Sequence, residues 1–119
     1  MEINIFNDPN KVPKPKDEVK FEELFAEPYP DGFRVRVSVK LTPFRERPNM
    51  LLLLKQADGT LISDLNIIET MHYDSEYVIH IRRKSNPAGD YVLEAELFYE
   101  TRQPPQDRAS FAFTIHGEA

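Results

Sequence analysis

Residues 86–115 read NPAGDYVLEAELFYETRQPPQDRASFAFTI and give the strongest indication of architecture in this chain. Apolar side chains occupy every second position of residues 91–99 and again of 109–115. This period is typical of strands that bury one face and leave the other in water. The polar, proline-containing stretch between the two runs predicts a turn, so together they form an antiparallel hairpin. The C-terminal third of the chain is therefore predicted to be all-β.

Prolines and turn dipeptides mark the boundaries of further short apolar runs. Prolines are confined to strand edges and turns, and the chain has ten of them against four glycines. Residues 33–41 alternate, with Phe33 in the apolar set, whereas residues 50–55 are apolar throughout, as in a strand covered on both faces. The remaining predicted strands are residues 19–26, 61–70 and 77–83. The first of these also fits one amphipathic helical turn, through Phe21, Leu24 and Phe25.

The spacing of these runs predicts the fold class. About seven strands separated by turn signals favour an all-β, two-sheet antiparallel β-sandwich. Residues 1–18 are predicted to form a short, extended, proline-rich acidic arm, and residues 19–119 a single sandwich domain. A chain of 119 residues can bury a core without covalent cross-links. It contains no cysteine, which excludes disulfides, thiolate nucleophiles and cysteine-ligated zinc.

One local feature resembles immunoglobulin-like and fibronectin type III-like sandwiches. Gly89, Asp90 and Tyr91 place a tyrosine two residues after a turn glycine, at the start of the penultimate strand. This is similar to the tyrosine corner of those domains, in which the phenol bonds to backbone a few residues upstream. The chain lacks the cysteine pair and tryptophan of antibody domains, which favours the fibronectin-like or bacterial immunoglobulin-like branch. The resemblance covers roughly residues 19–116. It implies a binding, spacing or adaptor module, with structural roles for Gly89 and Tyr91.

The connection between the second and third predicted strands is the strongest candidate binding site. It presents Phe44, Arg45, Glu46 and Arg47 between two prolines. Phe and Arg are enriched at protein–protein interfaces, and a stiff loop loses little entropy on binding. The alternative is a plain connection in which Phe44 packs into the end of the sandwich and the arginines pair with Glu46. The connection at residues 69–76 has the same two interpretations, a binding rim or a link between strands.

The arm carries a second candidate interaction. Ile3, Ile5 and Phe6 would be able to add a strand to the open sheet edge of another copy, giving a homodimer through the arm. The alternative is that the arm covers an edge of its own sandwich or is disordered.

No set of residues predicts catalysis, a metal or a cofactor. The histidines are His72, His80 and His116, and they match no metal-protease spacing. A metal site from His80 with Glu94 or Glu96 on a neighbouring strand is an alternative to a solvated His80 on a sheet surface. Glu94, Glu96 and Glu100 alternate along one strand and are interpreted as its wet face, since an acid–base pair needs a cleft. The chain is predicted not to be an enzyme.

The net charge of the chain and its distribution limit the kinds of partner that the chain is expected to bind. The net charge is −5, and residues 1–31 hold four Lys against eight acidic residues, whereas 32–119 hold eleven basic against twelve acidic. Such a distribution lacks the basic stripe that nucleic acids require. The N-terminus has no apolar signal segment, and the longest apolar run, residues 50–54, is too short to span a membrane. No nucleic acid or membrane is expected as a partner, and the predicted location is cytoplasmic.

These features favour a non-enzymatic protein-interaction or accessory domain with an unidentified protein partner. The alternative is a carbohydrate- or small-ligand-binding sandwich. Modules of that kind stack sugar rings on exposed aromatic side chains, often Trp, through weak contacts. The chain has no Trp, and the aromatic residues predicted to be exposed are Phe98 and Tyr73.

Overall fold

A computed structural model describes residues 12–82 and 84–117 of the chain. Within these ranges it contains one short 3-10 turn, Lys16–Glu18, followed by seven strands. The strands are β1 (Phe21–Pro28), β2 (Arg34–Leu41), β3 (Asn49–Gln56), β4 (Leu61–Ile67), β5 (Asp74–His80), β6 (Gly89–Phe98) and β7 (Asp107–Ile115). They form two antiparallel sheets, which confirms the predicted all-β sandwich.

The two sheets have the strand orders β1-β2-β5 and β4-β3-β6-β7. Every neighbouring pair is antiparallel. The connections β2–β3, β4–β5 and β6–β7 therefore emerge at one end of the sandwich. Hydrogen bonds between them show this directly, since Thr70 N donates to Pro48 O at 2.8 Å and Asn49 Nδ2 donates to Tyr99 O at 2.8 Å. We call residues 42–48, 68–73 and 99–106 the loop end.

The core lies between the sheets and follows the alternation of the strands. Side chains that point inward from the central strands are removed from water almost completely. Burial of each large apolar side chain contributes about 1.5–3 kcal/mol of stabilisation. The members with no measurable exposure are Val35, Val37, Met50, Leu52, Leu54, Leu93 and Leu97.

Several predicted boundaries and orientations differ from the structure. The strand interpretation of residues 19–26 is correct, because β1 pairs with β2 from Phe21 to Pro28. Phe33 lies just before β2 and is 38% exposed, so its predicted place in the core was wrong. The fifth strand begins at Asp74, three residues earlier than predicted, and ends at His80. Asp74, Ser75 and Glu76 are all polar, so the pattern of apolar residues does not show the start of this strand.

The two faces of β3 are buried to different extents, although its unbroken apolar run predicted burial of both faces. Met50, Leu52 and Leu54 face the core with no exposure, whereas Leu51 and Leu53 face the outside of the four-stranded sheet. Leu51 is still only 9% exposed and Leu53 is half-buried. Their cross-strand neighbours on β6 are glutamates, whose aliphatic stems shield apolar surface as long charged side chains commonly do.

One side of the sandwich is closed by contacts between β1 and β7. The rings of Phe25 and Phe111 meet edge to face with centroids 5.1 Å apart. The side-chain amide of Gln106, just before β7, donates to the carbonyl oxygens of Lys16 at 2.6 Å and Val19 at 2.7 Å. These contacts tie the segment that leads into β1 to the edge of the other sheet.

The turn before β6 is built around Tyr91. Its side chain is 1% exposed, and its hydroxyl donates to the carbonyl oxygen of Pro87, four residues upstream, at 2.6 Å. Its ring stacks on Phe113 with centroids 5.6 Å apart. Gly89 has φ +145° at the start of the strand, a backbone conformation that side chains with a Cβ rarely adopt. At the same end, Gly32 has φ +75°, and a Cβ there would make a tight contact of 3.1 Å with Pro87 Cγ.

Candidate functional site: the loop end

The predicted binding segment lies at the loop end, between β2 and β3. Phe44 is 7% exposed, and its ring meets that of Tyr73 edge to face with centroids 4.8 Å apart. Arg45, Glu46 and Arg47 are exposed. The structure therefore places the aromatic residue inside the sandwich, where its packing anchors the β2–β3 connection. The three charged residues remain on the surface. A binding role for these charged residues stays a prediction.

The backbone of this connection is held by the segment that precedes β1. Lys14 N donates to Pro43 O at 2.9 Å, and Arg45 N donates to Lys14 O at 3.2 Å. Together these bonds make a short parallel bridge between Lys14 and Phe44. Part of the predicted arm thus lies against the sandwich, while Ile3, Ile5 and Phe6 lie outside the described residues. Arg45 therefore projects from a backbone segment that is restrained on one side by its hydrogen bonds to Lys14.

The arginines do not pair with Glu46 as the plain-connection interpretation expected. The ion pairs among the described residues involve other partners. The backbone carbonyl of Glu46 instead accepts a hydrogen bond from the Tyr99 hydroxyl at 2.9 Å. Burial of this phenol and the nearby negative charge of Glu46 raise the pKa of Tyr99 to about 12. At neutral pH Tyr99 is therefore a dependable donor that links the β2–β3 and β6–β7 connections.

The β4–β5 connection adds two exposed apolar side chains to this end. Ile68 and Met71 are each 65% exposed, more than any other large apolar side chain in the described residues. Thr70 between them is 3% exposed and bonded through its N–H to the β2–β3 connection. Glu69 has φ +48°, the left-handed conformation that is uncommon outside glycine. This tight turn buries Thr70 and leaves its apolar neighbours in water.

Asn49 joins these connections. Its Nδ2 donates to Tyr99 O at 2.8 Å, and its Oδ1 accepts from Glu69 N at 2.8 Å. One amide side chain therefore fixes both the β4–β5 connection and the start of the β6–β7 turn. Bound in this way, the loop end is a pre-organised surface, and a partner that docks on it orders few additional groups.

Neither Ile68 nor Met71 stands out in the sequence as a binding residue. Residues 61–70 were predicted as one strand, so Ile68 belonged to it, and residues 69–76, which include Met71, were left between a binding rim and a link between strands. The strand ends at Ile67, and the exposure of the two side chains depends on where the chain turns. The sequence feature that comes nearest to predicting their exposure is a pair of apolar residues separated by polar ones. The same pattern is also common in buried cores.

The histidine and carboxylates considered for a metal site are not brought together. His80 lies on β5 in the three-stranded sheet, whereas Glu94 and Glu96 lie on β6 in the four-stranded sheet, so that interpretation was wrong. Glu94 pairs with Lys55 at 2.9 Å and Glu96 with Arg102 at 2.9 Å. Across residues 12–82 and 84–117, no group of three or more His, Cys, Asp or Glu is placed to hold a metal ion.

The aromatic residues predicted to be exposed are only half-exposed. Phe98 and Tyr73 both retain partial cover, and Tyr73 lies against Phe44. Phe25 at 46% and Phe33 at 38% are the more exposed rings in the part of the chain that the structure describes. They lie at the β1–β7 side and at the end opposite to the loop end. No helix within the described ranges has the length and apolar character needed to cross a membrane.

Solved structures share this fold. No protein-family model and no curated protein sequence matches the chain. Similar structures occur in a β-glucuronidase from Bifidobacterium dentium (TM-score 0.57, 14% identity) and one from Lactobacillus rhamnosus (0.51, 16%). Another is a glycosyl hydrolase family 2 member from Bacteroides cellulosilyticus (0.52, 10%). Each comparison covers 82% of this chain but only 18%, 16% and 15% of the respective neighbour.

At these identities the likeness concerns the fold alone. The chain spans less than a fifth of the length of these glycoside hydrolases, and it resembles a β-sandwich portion of them. Fold and loop end together define a small all-β sandwich domain whose connections at one end are joined to one another by hydrogen bonds.

Proposed function

We propose that this chain is a non-enzymatic interaction domain with an immunoglobulin-like, fibronectin type III-like sandwich, and that it binds a protein partner through the loop end. The division into a three-stranded and a four-stranded sheet supports the immunoglobulin-like assignment. So does the hydrogen bond from the Tyr91 hydroxyl to backbone four residues upstream, at the start of the penultimate strand.

The observation that carries the proposal is the exposure of Ile68 and Met71 on connections that are fixed by hydrogen bonds. Single exposed apolar residues are ordinary, but here two side chains at 65% exposure lie three residues apart on a rigid turn. Exposed Arg45 and Arg47 belong to the adjoining connection. Met and Arg are enriched at interfaces, where a few central side chains supply most of the binding energy.

An accessory rather than catalytic role is supported by two observations. The similar folds form 15–18% of much longer glycoside hydrolase chains. In this chain Glu94 is engaged in an ion pair with Lys55 and Glu96 in an ion pair with Arg102, on the outer face of the four-stranded sheet. We therefore expect the domain to act by binding, next to a larger protein.

The test compares partner capture by the wild type and by two matched double variants. Ile68→Ser with Met71→Ser removes the apolar pair of the loop end. Phe33→Ser with Leu61→Ser is the control, because those side chains are 38% and 42% exposed at the opposite end. Each protein is immobilised, incubated with native extract and analysed by quantitative mass spectrometry. A specific partner should bind the control like the wild type and the loop-end variant at least about tenfold less.

Two further results complete the experiment. Arg45→Ala with Arg47→Ala should reduce capture of the same partner, because the arginines belong to the same surface. Equal capture by wild type and all variants would contradict the proposal, as would loss of the partner in the opposite-end variant alone. Glycan-array binding by a chain that captures no protein would favour the alternative of a carbohydrate-binding sandwich.

A further inference from the structure

β5 differs from the other sheet edges of this sandwich. The edges of β1 and β7 cover each other through Phe25 and Phe111, and the pairing of β4 with β3 shifts register at Leu54 and Lys55. An irregular register in an edge strand, or contact of the edge with another strand of the same chain, protects that edge from pairing with other chains. β5 (Asp74–His80) pairs with β2 in one unbroken register and contains no Pro, Gly or Lys. On its other side, no strand of the described residues pairs with it.

The backbone of β5 directs half of its polar groups to that free side. Leu41 N donates to Tyr73 O, and Ile81 N donates to Phe33 O, each at 2.8 Å. These bonds mark the odd-numbered residues as the ones that bond to β2, since in an antiparallel ladder the bonded positions alternate. The N–H and C=O groups of the even-numbered residues therefore point away from β2. They belong to Asp74, Glu76, Val78 and His80.

We propose that two copies of this chain pair β5 with β5 in antiparallel fashion, about a two-fold axis at Val78, so that the two three-stranded sheets become one six-stranded sheet. The even-numbered residues of each copy then face one another and complete each other's hydrogen bonds. A second copy is the simplest occupant because a two-fold interface needs one self-complementary surface.

The side chains of β5 are self-complementary in this register. With Val78 opposite Val78 of the second copy, Glu76 lies opposite His80 of the second copy. Asp74 lies opposite Arg82 of the second copy, just beyond the strand. All these side chains are exposed in the single chain, and Val78 is 41% exposed. Opposite-charge and apolar pairs across strands are the ones that stabilise a sheet.

The backbone also allows the two neighbouring registers. An axis at Tyr77 would bring Val78 against Glu76 of the second copy and Asp74 against His80 of the second copy. An axis at Ile79 would bring Val78 against His80 of the second copy and Glu76 against Arg82 of the second copy. Each of these registers keeps an acid–base pair, but neither keeps the apolar pair of Val78 with Val78. The apolar pair therefore favours the axis at Val78.

A groove beside β5 extends the interface. It lies between β4 and β5, where the sandwich is open, and a second copy paired on β5 would cover it. Its lining is mixed, with Ile62, Leu65 and Val78 beside Asp64, His80 and Arg82. Pairing one short strand buries little area, and interfaces below about 1,200 Å² are characteristic of weak complexes. We therefore expect a dimer that forms at high protein concentration.

The test uses charge exchange in the full chain, with mass measured by sedimentation equilibrium up to about 1 mM protein, the upper range for a weak interface. Asp74→Arg places like positive charges opposite each other, and Arg82→Glu places like negative charges opposite each other. Each variant should weaken dimerisation at least about tenfold relative to wild type. An equimolar mixture of the two should form the heterodimer, because their altered edges are complementary. The two changes combined in one chain should restore the homodimer.

Controls separate this effect from misfolding and from net charge. Asp17→Arg and Arg108→Glu make the same charge changes at exposed positions away from β5, so they should leave dimerisation unchanged. Asp74 lies beside Lys40 on β2, so Asp74→Arg also introduces repulsion within the chain. Arg82→Glu has no cross-strand partner of that kind among the described pairs, and it tests the edge without that complication.

Three results would overturn the proposal. One is a wild type that stays monomeric throughout the concentration range. Another is a dimer that the charge variants do not weaken, which would place the interface elsewhere, including the arm with Ile3, Ile5 and Phe6. The last is a chain that dimerises only after removal of residues 1–11, which would mean that its own arm covers β5. The loop-end substitutions lie outside the β5 edge and should not affect dimerisation. A failure of the dimer proposal would therefore leave the proposed function unaffected, and the reverse also holds.

Discussion

Two tyrosine hydroxyls fix backbone at opposite ends of the sandwich by donating to carbonyl oxygens. Tyr91 donates to Pro87 O at one end of the sandwich and Tyr99 to Glu46 O at the other. Both lie on or directly after β6, the strand between β3 and β7. A phenol is suited to this role because its ring fills the core while its hydroxyl reaches a polar group at the boundary.

Replacing Tyr91 with Phe removes a hydrogen bond and keeps the packing of the ring. We expect Tyr91→Phe to lower the free energy of unfolding by about 1–2 kcal/mol, because Pro87 O loses its donor in a partly buried turn. Urea unfolding followed by circular dichroism measures this. Tyr77→Phe on β5 is the control, since no hydrogen bond of its hydroxyl is found among the described residues. Equal losses in both variants would contradict the role of Tyr91.

At the scale of elements, the strands form from alternation and the connections are fixed by specific hydrogen bonds. The alternation of apolar and polar residues predicts where β2 and β6 lie in the sequence, because each face of these strands has the same surroundings along the whole strand. The connections at the loop end have no such repeat. Their conformation depends on Asn49, which bonds to Tyr99 O and Glu69 N at 2.8 Å each.

Asn49→Ala should therefore loosen the loop end as a unit. We expect it to reduce the free energy of unfolding by about 1–3 kcal/mol, because Glu69 N and Tyr99 O both lose a partner. Hydrogen exchange measured by mass spectrometry should quicken in residues 68–73. Asn66→Ala is the matched control on the exposed face of β4 and should change neither quantity appreciably. Unchanged exchange in 68–73 would show that Asn49 does not hold this connection.

On the scale of the whole molecule, the sandwich is closed along β1 and β7 and open along β4 and β5. Its two proposed interaction surfaces lie apart, the loop end for a different protein and the β5 edge for a second copy. Since pairing at the edge leaves Ile68, Met71 and Arg45 free, a dimer would present two loop ends to partners. Two linked sites raise the apparent affinity for a partner that is itself repeated or oligomeric.

Global stability should fall at alkaline pH in a way that depends on Tyr99. Its pKa is raised to about 12 in the folded chain, whereas an unfolded tyrosine ionises near about pH 10. The folded state therefore binds the proton more tightly, and the resulting stability is complete below about pH 10 and is lost as pH rises from about 10 to 12. Urea unfolding across this range should show a shallower decline for Tyr99→Phe than for wild type. Parallel declines would contradict this assignment.

Much of the architecture could be read from residue order. The period of two in β2, β6 and β7, together with the placement of prolines and turn glycines, was enough for the all-β sandwich. The position of Phe44 was left between two interpretations, and packing against Tyr73 decided in favour of the interior. The ends of β4 and β5 were misplaced because an edge strand is defined by its pairing partner, which lies far away in the sequence.

Fold class and strand number thus follow from local pattern, because alternation reports which face of each strand meets the core. Three other properties required the assembled structure: the strand order, the exposure of Ile68 and Met71, and the opposite sheets of His80 and Glu94. The direction of the free hydrogen-bonding groups on β5 is a property of the same kind. Each depends on contacts between residues distant in sequence, and a local pattern carries no information about which distant segments meet.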